Sequence, residues 1–496
     1  MLKTQEPEFN CLKTEIKPSA KWWTILSVSI GVFIFSLDVY IVNLALPIML
    51  ESLHTTFANS QWVVLSYLLA ISIFVLSASK LGDIWSKKKL YIIGMIVFTI
   101  SSLLCGLAPN IGFLIAFRAI QGVGAAFISG LGTAMIVEAF PVEERGLGLG
   151  IRAGVFGLGM MLGPTIGGLL VSIGDWPLIF FINVPIGIIG ILIMAYFVPP
   201  SIVNGEKQQF DIIGTIVITF ILTCFILAIT LLEEQNHDLN IILALLFLSM
   251  ISLAFLIFIE MRTVTPILDW KIFRSLDLSL GLGLRFIGNF VIAGSIFILP
   301  FFFKLVKQYP TNKAGFLLAI PPIIIVLTAP MAGTLSDKFG SRIISITGLL
   351  LMAVGCFLIS TFNAELTIIN YIIAIIPYGL GIGMFQSPNN SAIMGAAPQD
   401  SLGIASGLLS LSRILGQTIS VPLVGAIFSF VTLNNTQLNT NINITNAPVA
   451  SLVLGTQITF RFITILLVIS TVFAIYLWWI EQKRVSMEKL ISDIDK

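Results

Sequence analysis

The chain has 496 residues, 57% apolar and 10% charged, with a formal net charge of +2 and a mean hydropathy of +1.01. Soluble domains carry about 25% charged residues, so there is too little charge here to cover a water-facing surface, and a soluble multidomain enzyme is excluded. The apolar runs are long and continuous where a membrane β-barrel would show short alternating segments, so a barrel is excluded too.

Taken in chain order, the first 22 residues are polar and charged and are expected to form a cytoplasmic tail rather than a signal peptide. Apolar runs between charged or turn-rich breaks then predict about fourteen membrane helices. They cover 23–50, 59–80, 89–108, 111–138, 146–173, 176–198, 210–231, 239–260, 278–303, 313–335, 342–362, 366–391, 402–431 and 457–480. A loop at 432–456, rich in Asn and Thr and free of charge, is expected to be solvated on the outer side. Residues 481–496 read as a second cytoplasmic tail.

Lys and Arg concentrate on one side. With the N-terminus inside, the inner segments hold Lys13, Lys17, Lys21, Lys87, Lys88, Lys89, Arg145, Lys207, Arg262, Lys271, Arg274, Lys338, Arg342, Lys483 and Arg484. The outer loop carrying Lys304, Lys307 and Lys313 is the exception. Both termini are then cytoplasmic, and the expected location is a multi-pass position in a bacterial cytoplasmic membrane.

A repeat sets the organisation. Ser79-Lys80-Leu81-Gly82-Asp83 runs into Lys87-Lys88 after the second helix, and Gly333 to Arg342, with Asp337 and Lys338, follows the tenth. Each copy puts an acid and then basic residues at a cytoplasmic turn, as two parallel halves of a transporter would. The expected fold is all-α, with a six-helix bundle over 23–198, a linker with two inserted helices over 199–277 and a second six-helix bundle over 278–480. The inserted helices are nearly all apolar and read as a peripheral hairpin facing lipid, outside the pathway.

These segments carry further motifs: Leu37-Asp38-Val39-Tyr40-Ile41-Val42-Asn43 in the first helix, Gln61-Trp62-Val63-Val64-Leu65-Ser66-Tyr67 in the second, Arg118-Ala119-Ile120-Gln121-Gly122-Val123-Gly124 in the fourth, Gly159 to Gly168 in the fifth, and Gly403 to Gly407 with Arg413 in the thirteenth. With them the chain resembles the major facilitator superfamily, and within it the fourteen-helix drug:proton antiporter (DHA2) family, over nearly its whole length. The resemblance implies proton-coupled export by alternating access. It implies gating roles for Asp83, Lys87, Lys88, Asp337, Lys338 and Arg342, and an antiporter motif built on Gly159, Gly163, Pro164, Gly167 and Gly168. The first gating motif departs from the family pattern at Ser79, Ile84 and Ser86, which is expected to loosen its turn and leave the Asp337 copy as the firmer gate. Arg152 stands where the pattern has a bulky apolar residue.

The residues also speak for themselves. Asp38 lies deep in a helix, where a carboxylate costs a few kcal/mol (about 2.5–3.5 on insertion scales) and tends to be functional or paired. Such a carboxyl, held between desolvation and a nearby cation, can take up and release protons; a permanent structural pair is the other reading. Arg118 shares a helix face with Gln121 three residues on, and by resemblance is Asp38's partner in proton coupling; a cation bonded to backbone carbonyls is its alternative. Small residues and Pro164 make the fifth helix a close-packed, bent element.

The substrate cavity is expected to use Asn43, Trp62, Tyr67, Gln121, Arg285, Asn289, Phe297, Gln386, Asn389, Asn390, Arg413 and Gln417, with Phe156 and Phe385 as further aromatic candidates. Many of these recur at helical spacing, which serves a watery cavity or interhelix hydrogen bonds equally well. Arg118, Arg152, Arg285 and Arg413 make the cavity net positive, which favours neutral, zwitterionic or anionic amphiphiles. An exporter of a lipid or a specific anionic or zwitterionic metabolite is therefore the alternative to multidrug efflux.

Other classes fare worse. The histidines are His54 and His237, neither at membrane depth, so no catalytic dyad is expected and the chain is read as not an enzyme. No metal cluster, P-loop or basic nucleic-acid patch is present in the sequence. Cys11, Cys105, Cys224 and Cys356 are scattered singly. The expected partners are small amphipathic substrates, protons and membrane lipid. The coupling ion is the proton, with no other cofactor and a monomeric chain.

Overall fold

The computed structural model describes residues 18–141, 144–199, 212–232, 238–260, 276–396, 402–434 and 444–494, and these form helices with no strand. The N-terminal half comprises α1 (Pro18–Ser52), α2 (Phe57–Ile84), α3 (Lys87–Gly106), α4 (Ile111–Ala139), α5 (Arg145–Gly174), α6 (Leu178–Phe181) and α7 (Asn183–Phe197). Then come the inserted α8 (Ile212–Leu231) and α9 (Leu239–Glu260). The C-terminal half comprises α10 (Leu276–Phe301), α11 (Thr311–Leu318), α12 (Ile320–Phe339), α13 (Ser341–Ile359), α14 (Ile368–Ala396), α15 (Leu402–Asn434) and α16 (Val449–Ile494). Thirteen helical segments are long and apolar enough to cross a membrane, and Ile216–Leu231 is a shorter apolar helix.

Prolines explain where the structure divides single expected spans. The run at 176–198 breaks at Ile182, and Pro185 falls in the first turn of α7, where a missing N–H costs nothing. Pro321 and Pro322 likewise open α12 after the break from α11. Pro300 precedes a π-helical turn, Phe302–Val306, at the end of α10. The last helix differs from expectation at both ends. It starts at Val449, directly after Pro448, so the outer loop is shorter than 432–456, and it continues to Ile494 through the segment read as a tail. Residues 1–17, 200–211, 261–275 and 435–443, including most of the two tail and linker segments' basic residues, lie outside the described residues.

Within the first half α1 packs on α5 and α7, and α4 on α2 and α3; within the second α10 packs on α15, and α14 on α12 and α13. The halves meet along α5–α11, α2–α15 and α1–α10. Their contact is concentrated at the end assigned to the outside. There Lys304 pairs with Glu51 at 3.5 Å, and Phe57 of α2 sits 5.6, 5.0 and 5.7 Å from the rings of Phe297, Phe301 and Phe428. Halfway down, Ser72 and Thr418 share a hydrogen bond of 3.3 Å. A Cβ at Gly146, Gly150 or Gly154 of α5, or at Gly283 of α10, would meet open space.

The inserted helices are not equivalent. α9 is mostly exposed, as expected of a lipid-facing helix. α8 buries Leu222, Cys224, Ile226, Ala228 and Ile229 and packs on both α2 and α15, one helix from each half. α8 lies between α9 and the seam of the halves, with its buried apolar face against them.

Candidate transport site

Asp38 and Arg118 are buried at the centre of the N-terminal half, 0% and 1% exposed. Arg118 Nη1 donates to Asp38 Oδ2 at 2.5 Å and to Gln121 Oε1 at 2.6 Å, while its Nε donates to the Val63 carbonyl at 2.9 Å. Gln121 Nε2 donates to Asp38 Oδ1 at 3.0 Å and to Ser102 Oγ at 2.7 Å, and Asn183 Nδ2 reaches Asp38 Oδ1 at 3.1 Å. The Arg118 guanidinium lies 4.0 Å over the Tyr67 ring and 5.8 Å from that of Phe180, a cation–π setting. Buried charges persist when paired and hydrogen-bonded on their remaining sites, and this cluster supplies both.

Five helices assemble it. Asp38 comes from α1, Tyr67 and Val63 from α2, Ser102 from α3, Arg118 and Gln121 from α4, and Asn183 from the first turn of α7. Sequence reading found Asp38, Arg118, Gln121 and Tyr67. It missed Asn183 and Ser102; a lone Asn in the apolar run 176–198, placed by Pro185, was the available signal. Gln121 and Tyr67 were expected in the substrate cavity. Both are buried in the acid cluster instead, because Gln121 follows Arg118 by one turn on the same face.

The glycine motif faces this cluster's helix. A Cβ at Gly159 would collide with Ser36 Oγ, one at Gly163 would come 2.8 Å from Tyr40 Cβ, and one at Gly167 would come 2.6 Å from Ile41 Cγ1. These α1 residues flank Asp38. On the other side of α5, Gly315 of α11 abuts the Pro164 carbonyl, and a Cβ at Gly168 would stand 2.8 Å from the Thr311 carbonyl. The motif thus clamps α5 between the acid-bearing helix and the second half.

The residues expected to gate lie at the α2–α3 and α12–α13 turns. Asp83 is in the last turn of α2, and its side chain is outside the described ones. Lys87 pairs with Glu138 at 3.3 Å, and Lys88 Nζ donates to the carbonyls of Ala195 and Val198 at 2.9 and 2.5 Å, all within the first half. The turn is made without the family's glycines. Trp85 takes extended backbone with its N–H on the Leu81 carbonyl, and Ser86 caps α3. The second copy uses Gly340 at φ 89°, with Asp337 and Lys338 exposed and Arg342 half-buried.

In the second half Arg285 Nε donates to the Leu409 carbonyl at 2.8 Å, and its Nη1 bonds Asn390 Oδ1. Arg413 stands 5.7 Å from the Phe156 ring of α5, and its charge interacts with those of Arg152 and Arg285. The half-buried residues Trp62, Phe156, Arg285, Gln386, Asn390, Arg413 and Gln417 keep access to open space. Other cavity candidates turn inward. Asn389 Nδ2 donates to the Gly281 carbonyl at 3.1 Å and Asn289 Nδ2 to the Arg285 carbonyl at 2.9 Å. Phe385 is buried against Gly288, and Phe297 is buried in the outer aromatic cluster. Asn43 bonds the Val39 carbonyl of its own helix and lines an apolar pocket between the halves, with Tyr40, Met160, Pro164, Ile292, Ile296 and Tyr378 among its walls.

Two packed helical halves of apolar, membrane-length helices, the first built around a buried acid–arginine pair, define a helical membrane-transporter fold. The chain belongs to the Major Facilitator Superfamily, whose family model matches residues 28–421 and, in a second match, 278–493. It is 32% identical over 410 residues to the riboflavin transporter RibZ of Clostridioides difficile, covering 82% of this chain and 88% of that one. Multidrug resistance protein Stp of Mycobacterium tuberculosis is 28% identical over 409 residues, covering 82% and 75%. A bacterial homologue of the human lysosomal transporter Spinster, solved inward-facing and unoccupied, shares the fold with a TM-score of 0.65 at 16% identity, covering 92% of this chain and 96% of that one.

Proposed function

We propose that the chain is a proton-coupled antiporter of the fourteen-helix drug:proton type that exports small amphipathic compounds from the cytoplasm. The buried Asp38–Arg118–Gln121–Asn183 cluster carries this reading. It holds one ionisable acid with partners that survive its neutralisation. When Asp38 takes a proton, Arg118 keeps the Gln121 and Val63 oxygens as acceptors, so the cluster has two satisfied arrangements, the kind of bistable element that coupling needs.

The route from proton to substrate follows the packing. Asp38 sits on α1 between Ser36 and Tyr40, the residues that meet the glycines of α5. A shift of α1 on protonation moves Tyr40, which lines the apolar pocket between the halves. Proton and substrate then need only differ in their affinity for the two states. The protein works as a monomer in the cytoplasmic membrane with no cofactor beyond the proton.

A second reading, export of one lipid or one anionic or zwitterionic metabolite, is favoured by the arginines of the cavity and by the likeness to a riboflavin transporter. Flux in proteoliposomes under an imposed pH gradient tests both, with cationic and anionic fluorescent amphiphiles as cargo. Gradient-driven flux that disappears in Asp38→Asn is expected. Undiminished gradient-driven flux in that variant would overturn the coupling assignment.

A further inference from the structure

Every hydrogen-bond partner of the Asp38 carboxylate is a donor. Arg118 Nη1 donates to Oδ2, and Gln121 Nε2 and Asn183 Nδ2 donate to Oδ1. An ionised carboxylate only accepts, so this shell suits it. The neutral acid carries an O–H as well, and here that O–H would face N–H groups. A buried O–H without an acceptor costs free energy, so protonation requires one neighbour to change from donor to acceptor.

The three neighbours differ in their freedom to do so. Arg118 has no acceptor atom. Gln121 is held at both ends of its amide. Its Oε1 accepts from Arg118 Nη1 at 2.6 Å and from Cys105 Sγ at 3.8 Å, and its Nε2 donates to Ser102 Oγ at 2.7 Å as well as to Asp38. Turning it over would set its NH2 against the Arg118 N–H. Asn183 is held at one end only. Its Nδ2 lies 3.1 Å from Asp38 Oδ1 and 3.5 Å from Ser102 Oγ, while its Oδ1 is buried with no hydrogen-bond partner. A half-turn of this amide puts Oδ1 where Nδ2 stands, within reach of the Asp38 O–H. The Ser102 hydroxyl accepts from Gln121 and Asn183, and after the turn it can donate to Asn183. Each arrangement leaves one end of the Asn183 amide unspent.

The titratable and charged groups around Asp38 offer no substitute. Tyr67 of α2 feels its charge, but the Tyr67 Oη is buried with no hydrogen-bond partner and so does not reach the carboxylate. Cys105 of α3 gives its S–H to Gln121. Tyr40 of α1 interacts with Arg413 of α15, and Arg152 of α5 with Tyr91 and Arg413; neither pair includes the acid. The backbone keeps Asn183 in place. It opens α7 directly after the break at Ile182, and α7 is pressed on α3 and α1. A Cβ at Gly187 would collide with Thr99 Oγ1, and one at Gly190 would come 2.6 Å from Met95 Cε and 2.8 Å from Ile30 Cγ2. With α7 fixed, the change falls on the side chain.

We propose that Asn183 is the positioning residue that turns its amide when Asp38 takes a proton, donating to the ionised carboxylate and accepting from the neutral acid. The proposal rests on the proton-coupling reading above and deepens it by naming the group that satisfies the protonated state. The proton stays on Asp38 Oδ1, and Asn183 exchanges only hydrogen bonds. Without Asn183 the ionised acid keeps Arg118 and Gln121, whereas the neutral acid loses its acceptor, so the loss falls on the protonated state.

The test is infrared difference spectroscopy of the full-length protein in liposomes during an acid titration. Asp38→Asn identifies the carboxylic C=O band of Asp38 by its absence. Asn183→Leu, close in volume and unable to hydrogen-bond, should move the midpoint of that band to lower pH by about one unit or more, the scale of one unsatisfied buried polar group. Asn183→Thr, whose hydroxyl can donate or accept, should recover part of the shift. An unchanged midpoint is the result of a residue that only packs, and a midpoint at higher pH that of one serving the ionised form alone; either would overturn the switch.

Should Asn183→Leu fail to fold, wild type answers by itself. With an isotope label in the asparagine side-chain carbonyls, acidification should move a labelled band to lower frequency as a free C=O gains a donor, and this change should be missing in Asp38→Asn. Labelled bands that ignore Asp38 would overturn the switch. The two readings fail separately. If no Asp38 band appears in the folded wild type, the proton role of Asp38 falls and the switch with it. An Asp38 band that titrates without regard to Asn183 removes the switch and leaves the coupling reading standing.

Discussion

Arg118 and Arg152 carry the same charge at comparable positions in transmembrane helices, yet the structure treats them in opposite ways. Arg118 is sealed in the first half, its donors spent on Asp38, Gln121 and a backbone carbonyl, with an aromatic ring beneath it. Arg152 has a buried Nε with no hydrogen-bond partner, set beside Gly132 of α4. A charge whose donors are all spent inside the protein is fixed by the fold, whereas one with an unspent buried donor carries an unrelieved cost.

Removing the acid breaks the comparison most completely. Asp38→Asn keeps the side chain's shape and an acceptor for Arg118, and is expected to abolish pH-gradient-driven flux in proteoliposomes while cargo binding persists. Next in size, Arg118→Gln leaves Asp38 as an unpaired buried carboxylate and should lower stability by about 3–5 kcal/mol, read as a drop in thermal midpoint in detergent. Combining it with Asp38→Asn should recover much of that loss, because the two side chains share one interaction. Gly163→Val should cost about 1–3 kcal/mol through overpacking against Tyr40 and slow flux more than Asp38-independent binding.

Smaller effects sharpen the contrast. Lys304→Gln removes the partly exposed pair with Glu51 at the outer seam, worth under about 1 kcal/mol. It should raise the labelling of cysteines placed on the cavity's outer face by favouring the outward-open state. Arg152→Gln removes a buried donor without a partner and should raise thermal stability by about 1 kcal/mol. A loss as large as that of Arg118→Gln would mean that Arg152 is internally paired after all.

Much of the architecture was legible before any coordinates. Long apolar runs located the helices, and paired acidic-basic turns at Asp83 and Asp337 divided the chain into halves. The errors have local causes. The start of α16 was placed at 457, after an Asn- and Thr-rich loop read as running to 456, whereas the helix begins at Val449 directly after Pro448. The α2–α3 turn was expected to loosen without its glycine, yet Trp85 and Ser86 make it with ordinary backbone. Phe297 was assigned to the cavity on its residue type alone, and side-chain type does not tell which neighbour a helix face will meet.

The sequence by itself determined that this is a helical membrane protein and that Asp38 and Arg118 are expensive enough at membrane depth to need partners. Hydrophobicity and charge are sums over neighbours in the chain, so they survive without a fold. Tertiary structure alone decided who the partners are. Asn183 reaches the acid across 145 positions of sequence, and Ser102 holds Asn183 across 81. Pairing depends on distances between helices, and packing sets those.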